Sequence, residues 1–262
     1  QISNKEEALF TVAGNAVTNE QVYSALIAQD AATIVKQMAT QIILNAEVEQ
    51  TPEMIAEADL ELSNFKETMG ESAEVYLQYY GYKDFDDYYT NGVLPTLQQD
   101  ILVEKYLRDN FVEISNNYLP KKVRIIEVVD ATQADLALAA IQAGSELSSV
   151  AALYATSSYT GEEELVYTSS ELPTSVLTWM NTQVSPTLSP VLVDSDSATN
   201  YIVQITVADP NKMIDEVVSS FGFDTTFIEM ALQDAFVRNG FKIYDRTVYD
   251  SFIISYADYI AD

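Results

Sequence analysis

The feature that most constrains this chain is a change of hydrophobic period at Pro120 that reverses after Asp209-Pro210. Before Pro120, apolar residues recur in steps of three and four, the spacing of helices with one buried face. From Lys122 to Val207, short alternating runs rich in β-branched residues are interleaved with helical stretches. Beyond Pro210 the helical spacing returns. A chain that leaves a helical pattern and comes back to it most economically builds one helical domain from both ends, with an α+β unit inserted. The expected divisions are residues 1–119, 120–208 and 209–262, the first and last sharing a domain.

Local signals fill in this outline. Residues 9–13 read as a strand, with Gly14-Asn15 as a tight turn after it. Thr18 and Gln21 have the spacing of a helix capping box, and Val22, Leu26, Ile34, Met38 and Ile42 follow at helical steps, an expected packing stripe. Thr51-Pro52 opens a second helix with Ile55, Leu62 and Phe65 on its apolar side, ended by Gly70. Residues 72–80 and 94–110 give two more, the latter with Leu97, Ile101, Leu102 and Tyr106 on one face. The middle reads as strand 122–129, helices 132–143 and 147–154, strand 164–168, helix 173–181, and strands 190–193 and 201–207. That order is β-α-α-β-α-β-β. Near the C-terminus a helix ends at Asn239-Gly240, residues 241–244 read as a strand able to pair with 9–13, and Asp245 caps a last helix.

Composition excludes several function classes. Hydrophobic residues make up 48% of the 262, which is globular rather than disordered. The 13 Lys+Arg against 40 Asp+Glu give a net charge of -27, which repels phosphate backbones and anionic lipid surfaces alike, so no nucleic-acid partner is expected. The chain has no cysteine and no histidine. Zinc and iron–sulfur sites with nitrogen or sulfur ligands are therefore excluded, as are Ser-His-Asp, Cys-His and other histidine-dependent mechanisms. The acidic runs Glu162-Glu163-Glu164 and Asp84, Asp86, Asp87 lack the ligand spacing and central glycine of a calcium loop, and are expected to be solvated charged loops. No metal and no cofactor is expected. No apolar run reaches the roughly 18 residues of a membrane span, and Gln1 reads as the first residue of a processed or trimmed chain.

Three segments in order carry a resemblance. Val12-Ala13-Gly14-Asn15-Ala16-Val17-Thr18 resembles an opening "V-x-G-x-x-I-T" strand, turn and cap. Val123-Arg124-Ile125-Ile126-Glu127-Val128, followed by Asp130-Ala131-Thr132, resembles a first parvulin strand and its acidic turn. Phe241-Lys242-Ile243-Tyr244-Asp245 resembles a closing "V-x-I-x-D" tetrad and cap. Together they resemble the PrsA foldase lipoproteins of Gram-positive bacteria and, more distantly, the periplasmic chaperone SurA. The resemblance implies a helical chaperone domain made of both chain ends with an inserted parvulin-like domain. It also implies an extracytoplasmic foldase acting on unfolded or partly folded secreted proteins after translocation. Its place would be the outer face of the Gram-positive membrane, held by a lipid anchor on a cysteine preceding Gln1, and a homodimer is compatible with it.

The parvulin part departs from an active site. Active parvulins carry histidines where this chain has Arg124 in the first strand and Tyr201 in the last, and the family's Gly-rich turn is reduced to Gly161 before Glu162. No phenylalanine falls in the helix that in the family helps form the proline pocket, and Trp179 and Met180 are the nearest large apolar residues. Prolyl isomerisation crosses a barrier of about 18–20 kcal/mol without breaking a covalent bond, so it needs a shaped, desolvating pocket rather than a nucleophile. Without the histidine network the expected activity is weak or absent. The other reading is a residual pocket of Tyr167, Trp179, Met180 and Tyr201 with measurable turnover. The second candidate seat of function is aromatic. Tyr76, Tyr79, Tyr80, Phe85, Tyr88 and Tyr89 crowd one short stretch, where they either pack helices or grip extended clients without demanding a sequence. A surface binding or adhesion protein on the same scaffold is the alternative of a different class.

Overall fold

The structure, a computed structural model, describes residues 4–12, 15–156, 159–195 and 197–260. In chain order the elements are β1 (Ala8–Val12), β2 (Asn15–Thr18), α1 (Asn19–Glu47), α2 (Pro52–Met69), α3 (Ala73–Tyr79), α4 (Phe85–Tyr88), α5 (Leu94–Asp109) and α6 (Phe111–Tyr118). They continue with β3 (Lys121–Val128), α7 (Ala131–Gln142), α8 (Leu147–Tyr154), β4 (Thr160–Val166), α9 (Thr174–Asn181), β5 (Thr187–Leu188), β6 (Leu192–Val193) and β7 (Asn200–Val207). The last are α10 (Ile214–Phe221), α11 (Thr225–Arg238) and α12 (Arg246–Tyr256). This is an α+β chain in two compact units, Gln1–Tyr106 with Gly222–Asp262, and Leu107–Phe221.

The first unit is helical because its caps and apolar stripes say so. Thr18 accepts from the Gln21 amide while the Gln21 side chain accepts from the Thr18 amide, the reciprocal capping box. Thr51 caps α2 with Pro52 in its first turn. The core gathers Ile43 and Leu44 of α1 with Val48 just after it, Met54 and Ala58 of α2, Leu94, Leu97 and Leu102 of α5, Leu232 and Phe236 of α11, and Phe252 of α12. Tyr259 joins it through its ring, 4.8 Å from that of Phe236.

Three expectations for this unit fail, each for a physical reason. Residues 241–244 form no strand, and β1 pairs with β2, Val12 opposite Asn15. Gly240, at φ +64°, ends α11 in a Schellman motif: its amide bonds to the Val237 carbonyl, the Phe241 amide bonds to the Phe236 carbonyl, and the two phenylalanine rings meet at 5.0 Å. The tetrad is therefore spent on a helix stop, and Asp245 at its end caps α12 through the Val248 amide. The Gly14 half of the expected turn lies outside the described residues, as does the Leu26 side chain. The α1 stripe Ile34, Met38, Ile42 is exposed, at 48%, 62% and 68%; the packed stripe runs through Val35, Ala39 and Ile43. Both stripes have helical period, so period alone could not select the inner one. Ile55 and Ile101 are likewise exposed, and Met54, Ala58 and Leu102 take the buried positions beside them.

The second unit is built on an antiparallel sheet in the order β4-β3-β7-β5, with β6 also on β7. From β3 the order is β-α-α-β-α-β-β, with the two-residue β5 as one extra strand. Alternation along β3 and β7 makes two cores. Ile126, Val128 and Ile202 face Ala134, Ala137 and Ile141 of α7 and Leu147 and Val150 of α8. Val123, Ile125, Tyr201, Val203 and Ile205 face Val176 and Met180 of α9. β4 starts at Thr160, four residues before the expected Glu164, because it keeps pairing with β3 as far as Thr160 opposite Ile126. Glu162, Glu163 and Glu164 thus lie on an edge strand and not in a loop, where charge discourages further strand pairing.

Candidate functional site

In the helical unit α1, the α3–α4 corner, the start of α5, α11 and α12 enclose an open cleft of about 820 Å³. Its lining is rich in groups that both donate and accept: Gln37, Gln41, Asn91 and Gln99, with Thr33, Thr40 and Thr96. Aromatic faces come from Tyr80, Tyr82 and Tyr256.

One wall is a relay fixed by local chain geometry. Asp84 caps α4 through the Asp87 amide at 2.8 Å. The Asp87 carboxylate then accepts the Lys83 amide at 2.8 Å and the Asn91 side chain at 2.6 Å. Asn91 sits in a π turn, Tyr89–Val93, and its oxygen accepts from Gln41 of α1 at 2.6 Å. The Lys83 amide, followed by the Asn91 amide group, holds the Asp87 carboxyl below its ordinary range.

The other wall carries the cation Lys36, whose ammonium bonds both Glu229 oxygens at 3.0 Å. It also lies 4.8 Å from the Tyr256 ring centre and 4.6 Å from that of Tyr259. Burial would raise the Glu229 carboxyl, but hydrogen bonds from Tyr259 and Lys36 outweigh it and the net shift is downward. Burial and the Glu229 bond push the Tyr259 hydroxyl far up. Lys36 is the only Lys or Arg in α1. That isolation is a signal in the sequence, but its partner lies 193 positions away and no local pattern points there.

The crowded aromatics resolve into two groups. Tyr79 (82% exposed), Tyr80 (58%) and Tyr76 (42%) stand at the surface as a contiguous run, Tyr79 on Tyr80 at 5.2 Å and Tyr80 on Tyr76 at 4.5 Å. Tyr88 is half-buried between Phe65 at 5.0 Å and Tyr82 at 5.1 Å, and Phe85 lies under the Lys66 ammonium. Tyr89 is half-buried, and burial, then the Asp59 carboxylate, push its phenol up. Phe85, Tyr88 and Tyr89 thus hold the corner together, while Tyr80 reaches the cleft.

In the second unit three of the five expected pocket residues come together and two do not. Trp179, Met180 and Tyr201 share the α9 face of the sheet. Tyr201 pairs with Glu127 and lies 6.1 Å from the Tyr159 ring; burial, then the Glu127 charge, push its phenol up. Arg124 falls between Val123 and Ile125 on the strand, so it points to the opposite face, where its guanidinium donates to the Gly161 carbonyl at 3.2 Å. Tyr167 stands apart again, stacked on Phe221 at 4.4 Å.

No protein-family model matches the sequence, and no curated protein matches it. Solved structures do. A peptidylprolyl isomerase (PrsA) of Bacillus cereus superposes with a TM-score of 0.58 at 15% identity, over 95% of this chain and 98% of that one. The chain has a PrsA-like fold. Foldase protein PrsA of Streptococcus pneumoniae matches at a TM-score of 0.47 and 17% identity, over 97% of this chain and 100% of that one. PrsA of Bacillus subtilis matches at 0.43 and 15%, over 95% and 98%. In this PrsA-like chain, both the cleft and the exposed tyrosine run belong to the helical unit.

Proposed function

We propose that this protein is an extracytoplasmic foldase that assists secreted proteins after translocation, with its client contacts in the helical unit and weak or no prolyl isomerase activity. The observation that carries the reading is the tyrosine-edged cleft of about 820 Å³ lined by amide and hydroxyl groups. Such groups can satisfy the backbone of an extended segment whatever its sequence, and tyrosine faces bury its side chains at low entropic cost. The PrsA-like fold supports the assignment, and the Bacillus cereus structure is named a peptidylprolyl isomerase. Against turnover here stand the absence of histidine from the chain and the placement of Arg124 and Tyr201 on opposite faces of the sheet. Attachment to the outer face of a Gram-positive membrane through a lipid belongs to the same reading; no described helix is long and apolar enough to cross a bilayer.

The test is suppression of aggregation of several unrelated clients, read by light scattering. Tyr79→Ser with Tyr80→Ser should weaken suppression and leave the melting temperature nearly unchanged, because both rings are exposed. Suppression by the double variant equal to that of the parent overturns the assignment of the client surface. Preference for a single ligand, with no general suppression, would instead mark a binding or adhesion protein. An Xaa-Pro peptide assay addresses turnover, where a rate within about tenfold of an active parvulin would refute the weak-isomerase part.

A further inference from the structure

The cleft is not electrostatically neutral toward its ligand. Its lining holds one cation, Lys36, and that cation is consumed: Glu229 takes it through both oxygens and two tyrosine rings lie beside it. An acidic side chain entering the cleft finds no uncommitted positive partner among the described lining residues. Asp87 is the reverse case. Two donors, the Lys83 amide and the Asn91 side chain, hold it ionised and fix its orientation, one on each oxygen. Each carboxylate oxygen has a second lone-pair direction to offer. Tyr80 and Tyr82 supply aromatic faces in the same lining. A fixed carboxylate in a cleft also lined by tyrosine faces is a receptor for an ammonium or guanidinium group whose aliphatic stem lies along the rings.

Resting on the foldase reading above, we propose that the cleft selects extended client segments carrying a lysine or arginine next to apolar residues, with Asp87 as the group that receives the cation. The net charge of -27 draws basic segments to the whole surface, but that long-range attraction fades over a Debye length of about 8 Å at physiological salt. Discrimination that depends on one residue must come from contact.

The experiment uses the full chain and two short labelled peptides of identical aromatic and aliphatic sequence, one bearing two lysines and the other two glutamates, with binding read by fluorescence polarisation at physiological salt. The lysine peptide should bind at least about tenfold more tightly. Asp87→Asn keeps an acceptor for one of its two donors and changes the net charge by only one, yet should weaken the lysine peptide by about three- to tenfold and leave the glutamate peptide, whose binding reports that the cleft is intact, unmoved. Equal affinity of the two peptides in the parent chain, which needs no variant to observe, overturns the proposal. So does a lysine preference that survives Asp87→Asn at full strength, since the attraction would then be general. Aggregation suppression measured on neutral clients tells these failures apart from failure of the foldase reading itself. If it persists while the peptides bind equally, only the selectivity falls.

Discussion

Gly161 offers the sharpest test of the middle unit. It sits in β4 at φ +76°, and a methyl group added there would lie 2.6 Å from Leu147 Cδ2 and 3.2 Å from the Leu147 backbone carbon and oxygen. The side-chain atom could swing, but Leu147 is buried in the α7–α8 core, and its backbone is the first turn of α8. Gly161→Ala therefore incurs about 1–2 kcal/mol of left-handed backbone strain and about 1–3 kcal/mol of crowding. The sum is about 2–5 kcal/mol. Gly144 is the control: it has φ +99° and nothing within 4 Å of the added carbon, so Gly144→Ala carries strain alone. Its dihedral lies farther from the left-handed well than that of Gly161, so the excess at position 161 is a lower bound on crowding. Trp179, the only tryptophan in the chain, packs beside Met180 in this unit and reports its unfolding without interference from the helical unit. Urea unfolding followed by Trp179 fluorescence should give Gly161→Ala the lower midpoint of the two variants, and its thermal midpoint should fall by roughly 4 °C per kcal/mol. Equal midpoints for the two variants, or a Gly161→Ala shift under about 0.5 kcal/mol, would refute the argument.

Other perturbations separate buried from exposed groups in the helical unit. Phe252→Ala removes a fully buried ring and should cost about 3–5 kcal/mol, whereas Ile42→Ala, at a position 68% exposed, should stay within about 0.5 kcal/mol; circular dichroism melts compare them. Asp245→Ala strips the cap of α12 and should cost about 1 kcal/mol, while Asp245→Asn, which can still accept the Val248 amide, should cost less. Glu229 has a folded carboxyl below its ordinary value, so its contribution is present above the unfolded value and is lost as pH falls through the folded one. The stability gap between the parent and Glu229→Gln should therefore be widest near neutrality and close below roughly pH 4; urea midpoints across that range measure it, and a gap that widens in acid contradicts the assignment.

What could be read from the sequence depended on how local the cause was. Caps at Thr18, Thr51 and Asp245 are set by contacts within three residues and are all present. The order of the middle elements was legible because strand and helix periods succeed one another along most of it. Choices between equivalent patterns were not. α1 offers two apolar stripes, and the packing of α11 and α12 decides which is inside. Residues 241–244 look like a strand in isolation, yet the left-handed Gly240 and the Phe236–Phe241 contact commit them to a helix stop. The cleft was legible only at one point: of the crowded aromatics Tyr80 alone lines it, whereas Lys36–Glu229 and Gln41–Asn91 join positions far apart in the chain.

The same alternation decides whether histidines could restore a parvulin-like network. In the β3–β7 ladder Arg124 stands opposite Gln204 and Tyr201 opposite Glu127. The two positions are three residues apart along the strands, about 10 Å, and on opposite faces of the sheet. Histidines at 124 and 201 therefore cannot hydrogen-bond to each other. Ile202 differs: it pairs with Ile126, so it shares a face with Arg124 as a diagonal neighbour, about 7–8 Å between Cα atoms. Imidazoles at 124 and 202 are within reach of contact. The chain contains no histidine, so the imidazole resonances of either double variant are free of overlap in a proton NMR titration. Arg124→His with Tyr201→His should show two independent titrations. Arg124→His with Ile202→His should show coupled ones, the second proton binding at lower pH because two imidazolium charges oppose each other in a partly buried site. Trp179 fluorescence verifies that each variant is folded, since position 202 is fully buried. Coupling in the 124/201 pair, or independent titration in a folded 124/202 pair, would mean that β3 and β7 do not pair in this register.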